Sequence, residues 1–151
     1  ELILALRPST LDDLGLVAAL QSHAERFLSG SGIDFELNTD GLTSRLEPEM
    51  ETALYRIYQE ALNNVRRHSG AKRVSISMIK QDDFLESEVQ DDGHGFDSSG
   101  LDSNEDNPHG LGLLGIKERV NQLGGEVEII SKPGSGTLIR LRLPISEVDG
   151  D

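Results

Sequence analysis

Residues 84–95 read FLESEVQDDGHG, and the fold turns on how this stretch is read. Leu85, Ser87, Val89 and Asp91 recur at period two, so they share one face of a strand, and that face carries its apolar members. Asp91 therefore points toward the core side, where a carboxylate is costly unless a donor meets it. Gly93 and Gly95 follow at once, leaving room for a flat group and permitting backbone angles that other residues resist. Two readings stand for these residues alone. One is an acidic turn that merely ends a strand; the other is a carboxylate aimed at a ligand's amino group, such as that of adenine.

Downstream, residues 110–120 read GLGLLGIKERV. The spacing Gly110-x-Gly112-x-x-Gly115 suits a dinucleotide fold only when a buried strand precedes it within a βαβ unit. Here Glu105-Asp106-Asn107-Pro108-His109 precedes it, the end of a polar, acidic stretch without periodicity from Asp97 to His109, so the dinucleotide reading is rejected. What remains is a glycine-rich loop leading into a helix, whose N–H groups would face phosphates, with the long loop before it as a lid. Leu113, Ile116, Val120 and Leu123 mark that helix, and Gly124-Gly125 stops it. Strands over Val127–Ser131 and Thr137–Leu143 then flank the hairpin Lys132-Pro133-Gly134-Ser135-Gly136, with Ile139, Leu141 and Leu143 facing in and Arg140 and Arg142 out. Gly136-Thr137 begins the last strand, where Thr137 would add a hydroxyl near Asp91.

Upstream, Pro48 suits the first turn of a long helix from about Glu49 to His68, with Met50, Leu54, Ile57, Ala61 and Val65 as its core stripe. Residues 59–68 of it read QEALNNVRRH. Glu60, Asn64 and His68 fall at i, i+4 and i+8, along one face at the edge of that stripe. This is either an ordinary solvated face or a site. As a site, Asn64 would offer a neutral oxygen to Mg²⁺, an ion that keeps several waters and takes few protein ligands beside substrate phosphates. Glu60 would orient or deprotonate a nucleophile, and Arg67 and His68 would meet phosphate charge.

The remaining elements are plainer. A helix carries Leu14, Val17, Leu20, Ala24 and Leu28 on one stripe and closes at Ser29-Gly30-Ser31-Gly32. Short strands run over Ile33–Leu37 and around Val74, Ile76 and Met78, the latter joined to Phe84–Gln90 by the turn Lys80-Gln81-Asp82-Asp83. Glu1–Leu6 is helix-compatible until Arg7-Pro8-Ser9-Thr10 interrupts it, and the tail after Pro144 reads as frayed. His23, His94 and His109 lack metal spacing and read as surface residues. Ser69 has no nucleophile-elbow context. The pattern is α+β, a two-layer sandwich of helices on one mixed, mainly antiparallel sheet.

With 151 residues the chain is one domain able to bury a core. Its net charge of −13 repels phosphate backbones, which argues against nucleic acid and makes a divalent cation necessary for any nucleotide. Cysteine is absent, so thiolate metal sites and disulfides are excluded, and no run is apolar enough to span a bilayer. A reducing, cytoplasmic setting fits, without direct membrane contact. The chain opens on Glu1 rather than Met and reads as part of something larger.

In combination these motifs resemble the N, G1, G2 and GT boxes of the GHKL, or Bergerat-fold, ATPases. Residues 59–68, 91–96 and 110–119 look most similar to bacterial sensor histidine kinases of the nitrate-sensor and desaturase-regulator type. So does the stretch Leu6–Leu16, which resembles the join between the dimerisation helices and the catalytic domain. The resemblance covers about Leu6 to Pro144. It implies a dimerisation remnant and hinge over 1–13, an ATP-binding catalytic domain over 14–146 and a frayed tail over 147–151. It implies ATP and Mg²⁺ as ligands, with Asn64 on the metal, Asp91 on the adenine amine beside Gly93, Gly95 and Thr137, and Arg67 and His68 near the phosphates. Gly110, Leu111, Gly112, Leu113 and Gly115 would form the hinge of an ATP lid, and Glu60 stands where hydrolysing relatives keep a base. The partner would be the dimerisation and phosphoacceptor domain of the same kinase, with a response regulator reached indirectly. The fragment is expected to be a monomer, cut from a homodimeric parent.

One departure matters: the family's acceptor histidine is followed closely by an acidic residue on an earlier helix. His23 is followed by Ala24-Glu25-Arg26 on the wrong helix, and no other histidine fits. The chain is therefore expected to bind Mg-ATP without phosphorylating itself. Two other functions stay open: a stand-alone ATPase or serine kinase of the same fold, and a docking module that nucleotide merely controls.

Overall fold

The computed structural model describes residue 11 and residues 14–40, 45–95 and 108–145. In chain order these form α1 (Leu16–Phe27), β1 (Asp34–Asp40), α2 (Pro48–Asn64) running into a π-helical turn (Val65–Ser69), β2 (Arg73–Gln81) and β3 (Phe84–Asp91). They continue as α3 (Pro108–Gln122), β4 (Glu126–Ser131) and β5 (Thr137–Pro144). The sheet order is β1-β2-β3-β5-β4, with β1 parallel to β2 and every other pair antiparallel. This is the expected two-layer α+β sandwich, and the sheet is mixed. The expected dimerisation remnant and hinge over 1–13 (Leu11 apart), most of the lid (97–107) and the tail (147–151) lie outside the described residues.

The inner face of the sheet is built by strict alternation. Val74, Ile76 and Met78 of β2, Leu85, Ser87 and Val89 of β3, and Ile139, Leu141 and Leu143 of β5 are all buried. They pack with Leu20 and Ala24 of α1, with Leu54, Ile57, Tyr58, Ala61 and Leu62 of α2, and with Ile116 and Val120 of α3 in one core. A polar thread crosses it. The Tyr58 hydroxyl lies 2.6 Å from Ser87 Oγ, which itself donates to the carbonyl of Ser77 at 2.6 Å. The outer face is a charge ladder. Arg140 bridges Glu88 (3.0 Å) and Glu128 (3.2 Å), and Arg142 stacks over the Phe84 ring at 3.8 Å.

Helix ends follow local chemistry. Pro48 stands at the start of α2, with Glu49 and Glu51 in its first turn, where negative charge meets the positive end of the helix dipole. Glu51 is nonetheless buried. It is held by two bonds from Arg45, 2.9 Å each, and by the Leu46 N–H, while Arg45 also donates to the Leu11 carbonyl. At the end of α3, Gly124 adopts φ +78°; its N–H bonds to Asn121 and that of Gly125 to Val120. This is the glycine stop expected there, in Schellman form.

Four readings need correction. Leu14 is 66% exposed and outside the core stripe of α1, because that stripe starts after Gly15, at Leu16 and Ala19. The long helix is not α-helical to His68; the π turn takes over at Val65. Gly110, Gly112 and Gly115 belong to a helix, not a loop, because α3 begins at Pro108 and needs this register to sink Leu113, Ile116 and Val120 into the core. His23 is half-buried between Phe27 and Tyr55 rather than free on the surface. Among the described residues no helix is long and apolar enough to cross a membrane.

Candidate functional site

Asp91 ends β3 on the inner face, as alternation requires, and is 9% exposed. Its Oδ1 accepts the Gly93 N–H at 2.8 Å. Burial pushes its carboxyl above the ordinary carboxylate value; the Gly93 N–H opposes that, the neighbouring Asp92 charge adds to it, and the Thr137 main-chain N–H opposes it again. Burial outweighs the donors. An inward carboxylate with acceptor capacity left over is what a ligand amine would need.

Glycine geometry makes the surroundings. Gly136 has φ +76°, and a Cβ there would collide with the Asp91 carbonyl. Gly95, at φ +69°, faces the carbonyls of Lys132 and Gly136, so the chain after Asp91 is laid against the β4–β5 hairpin. Thr137 pairs with Asp91 across β3 and β5. Its hydroxyl, expected near Asp91, lies 2.9 Å from Ser131 Oγ, which also donates to the Gly136 carbonyl. Asp91, Ser131, Gly136 and Thr137 line one cleft of about 140 Å³.

The second half of the site is on α2. Asn64 is its last residue, one turn beyond the half-buried Glu60. The Asn64 Nδ2 is buried without a hydrogen-bond partner. An unmet buried amide is costly. A half-turn about its terminal torsion brings Oδ1 to the same place, a neutral acceptor suited to a hard cation. Arg67 is exposed in the π turn; the His68 side chain lies outside the described residues. The turn also ends the simple i, i+4, i+8 alignment of Glu60, Asn64 and His68, since a π turn holds more residues than an α turn.

On α3, Leu113 is a core residue and Gly115 is half-buried with open space at its α-carbon. The main chain of Gly110, Leu111 and Gly112 is helical, and the Leu111 side chain lies outside the described residues. The structure thus gathers Asp91, Gly93, Gly95 and Thr137 at one end of the sheet, and Glu60 and Asn64 at the end of α2.

Three contributors escaped sequence reasoning. Ser131 is directly opposite Thr137 in the hairpin register, so that register was the available signal. Asp92 accepts the N–H groups of Lys72 and Arg73 at 2.9 and 3.0 Å, tying the end of β3 to the start of β2 and holding its own carboxyl below the usual range. Arg66 bonds across 39 residues to the Phe27 carbonyl, which no local pattern signals.

Comparison with known proteins gives the family and the fold. Residues 49–147 match the family model described as histidine kinase-, DNA gyrase B-, and HSP90-like ATPase. Among curated relatives, the chain is 38% identical over 141 residues to the sensor histidine kinase MctS of Rhizobium johnstonii, covering 93% of this chain and 30% of that protein. It is 37% identical to the signal transduction histidine-protein kinase/phosphatase DegS of Brevibacillus brevis, over 97% of this chain and 36% of that one. The oxygen sensor histidine kinase NreB of Staphylococcus carnosus is also 37% identical, with 97% and 41% covered. The chain thus spans about a third of the length of the curated relatives it matches.

Solved structures share the fold at lower identity. The histidine kinase domain of the Erythrobacter litoralis EL346 blue-light activated kinase superposes with a TM-score of 0.68 at 20% identity, over 86% of this chain and 61% of that one. The mycobacterial sensor histidine kinase MprB gives 0.65 at 20% identity, over 88% and 94%. With a family match over about two thirds of its length, the chain belongs to the histidine kinase-, DNA gyrase B- and HSP90-like ATPases, in the form found in sensor histidine kinases.

Proposed function

We propose that this domain binds Mg-ATP and presents the γ-phosphate to a histidine on a separate dimerisation and phosphoacceptor domain, in the cytoplasm, as the catalytic part of a two-component sensor kinase. The observation that carries the reading is the pairing of two unmet demands. The Asp91 carboxylate is buried with acceptor capacity to spare, and Nδ2 of the half-buried Asn64 is buried with no partner. An adenine amine answers the first; with the Asn64 amide turned by a half-turn, its Oδ1 would face a magnesium ion in the second.

In this reading Asp91 accepts the amine hydrogen, Gly93 and Thr137 fix the carboxylate, and Gly95 and Gly136 let the main chain around Asp91 lie against the β4–β5 hairpin. The Asn64 oxygen takes one position on Mg²⁺, which neutralises phosphate charge when bound. Arg67 brings positive charge, and His68 a hydrogen-bond donor, to the phosphates on a chain whose net charge is −13. Gly110, Gly112 and Gly115 give the start of α3 less helical preference than alanine would, by about 1 kcal/mol each, so this segment can rearrange over phosphates. Glu60 lies one turn from Asn64, placed to orient the acceptor imidazole. Positioning and electrostatics carry most of the rate.

The test supplies a dimerisation fragment bearing its histidine in trans, with labelled ATP. Acid-labile phosphohistidine on that fragment, lost with Asn64→Ala, is the expected result. Steady ATP turnover with no phosphohistidine would favour a stand-alone ATPase, and neither reaction would favour a nucleotide-controlled docking module.

A further inference from the structure

Directly after Asn64 the main chain leaves the α-helical ladder for the five-residue π turn Val65–Ser69, closed by Gly70 at φ +66°. Such turns are rare and recur at functional sites. Val65 anchors this one from inside the core. From outside the holder is Arg66. Its Nη1 donates to the Phe27 carbonyl at 2.7 Å, and its guanidinium lies 5.2 Å from the centre of the Phe27 ring.

Phe27 is the last residue of α1, so its carbonyl is one of the helix-end acceptors without an intrahelical partner, and a cation there also meets the negative end of the dipole. The Phe27 ring stacks on His23, which in turn meets Tyr55 of α2 edge-on. Arg66 therefore joins the π turn to a packed corner between the first two helices.

We propose that Arg66 is a positioning residue for the cation site: by pinning the π turn to the end of α1, it fixes the direction of the Asn64 amide. The inference rests on the Mg-ATP reading of the site. Asn64 is the residue where the α ladder ends and the π turn begins, so its side-chain direction is set at that join. A slip of one residue there would turn the following segment by about 100°. The adenine side has other supports, since Asp91 is held by Gly93 and by Thr137 on the sheet. Arg66 should accordingly influence metal-dependent binding and leave base recognition alone.

The experiment compares the chain with Arg66→Ala and Arg66→Lys by two readouts. One is amide hydrogen exchange over residues 65–70 without ligand; the other is affinity for Mg-ATP and, separately, for AMP in the presence of a chelator. Arg66→Ala should speed exchange in the turn and weaken Mg-ATP about fivefold, the scale of one surface charge-assisted hydrogen bond. AMP binding should stay unchanged. Lysine still reaches the Phe27 carbonyl, though without a planar face, and should restore most of the loss. Unchanged exchange in Arg66→Ala overturns the proposal, as does equal weakening of both ligands. If the parent chain binds neither nucleotide, the Mg-ATP reading falls and the role of Arg66 at a cation site falls with it; faster exchange in the turn of Arg66→Ala alone would then mark a structural clamp only.

Discussion

The Gly93 N–H reaches back two residues to Oδ1 of Asp91 at 2.8 Å, so the first glycine after the strand holds the carboxylate that ends it. Replacing that carboxylate by an amide keeps the size and loses the charge. Asp91→Asn should weaken ATP about tenfold to a hundredfold, the worth of a hydrogen bond to a charged group. It should also raise the urea midpoint of the unliganded protein at neutral pH, because an ionised group no longer has to be buried. Calorimetry and urea melts on the same preparation check both, and tighter or equal ATP binding would count against the assignment.

Binding should depend on pH in a defined direction. Burial raises the Asp91 carboxyl above its ordinary value, so its contribution to folding is fully present below that value and is lost as pH rises through the raised one. A ligand amine prefers the ionised form. ATP affinity should therefore fall as pH drops through the raised value, with protons released on binding in that window. Calorimetry in buffers of differing ionisation enthalpy reads the release directly. Asp91→Asn should abolish it.

Tyr58 and Ser87 offer a test of the core. Tyr58→Phe removes one hydroxyl and leaves Ser87 bonded to the Ser77 carbonyl, at a cost of about 0.5–1.5 kcal/mol. Ser87→Ala instead strands the buried Tyr58 hydroxyl and should cost more, about 1–3 kcal/mol. Urea midpoints at constant slope rank the two. The reverse order would mean that Tyr58 finds another acceptor.

Arg45 and Glu51 fix the entry to α2. Arg45→Ala removes both bonds to a buried carboxylate; breaking a fully buried pair costs roughly 3–5 kcal/mol, and Arg45 is 44% exposed, so about 1–3 kcal/mol is expected. Arg45→Ala with Glu51→Gln together should recover part of the loss, since the stranded charge is gone. A double-mutant cycle measures that coupling.

Gly136→Ala should harm both fold and site. The position needs φ +76°, and its new methyl would press on the Asp91 carbonyl. Ala at Gly134, also at positive φ but with open space around it, should cost less. Thermal melts and ATP titrations of the two variants compare strain alone with strain plus collision.

Much of this was legible in the sequence where a period or a turn residue governs the outcome. Alternation placed Asp91 inward and Arg140 and Arg142 outward, and Gly124-Gly125 ended α3 where it should. Legibility failed where distant contacts decide. The glycines at 110, 112 and 115 signal loop locally, yet core burial of Leu113, Ile116 and Val120 makes the segment helical. The π turn has no sequence signature of its own; Arg66 and Phe27 stand 39 residues apart. Leu14 matched the helical stripe by spacing, but Gly15 at φ +91° breaks the register before α1 begins.

The central claim is that Asp91 reads the adenine, and Asn64 takes the metal, of one bound Mg-ATP. Titration calorimetry with ATP and GTP, each with and without Mg²⁺, tests it most directly. The account predicts micromolar, magnesium-strengthened binding of ATP and none of GTP, whose ring presents a carbonyl where adenine has its amine. Equal binding of the two nucleotides, or binding indifferent to Mg²⁺, would contradict it.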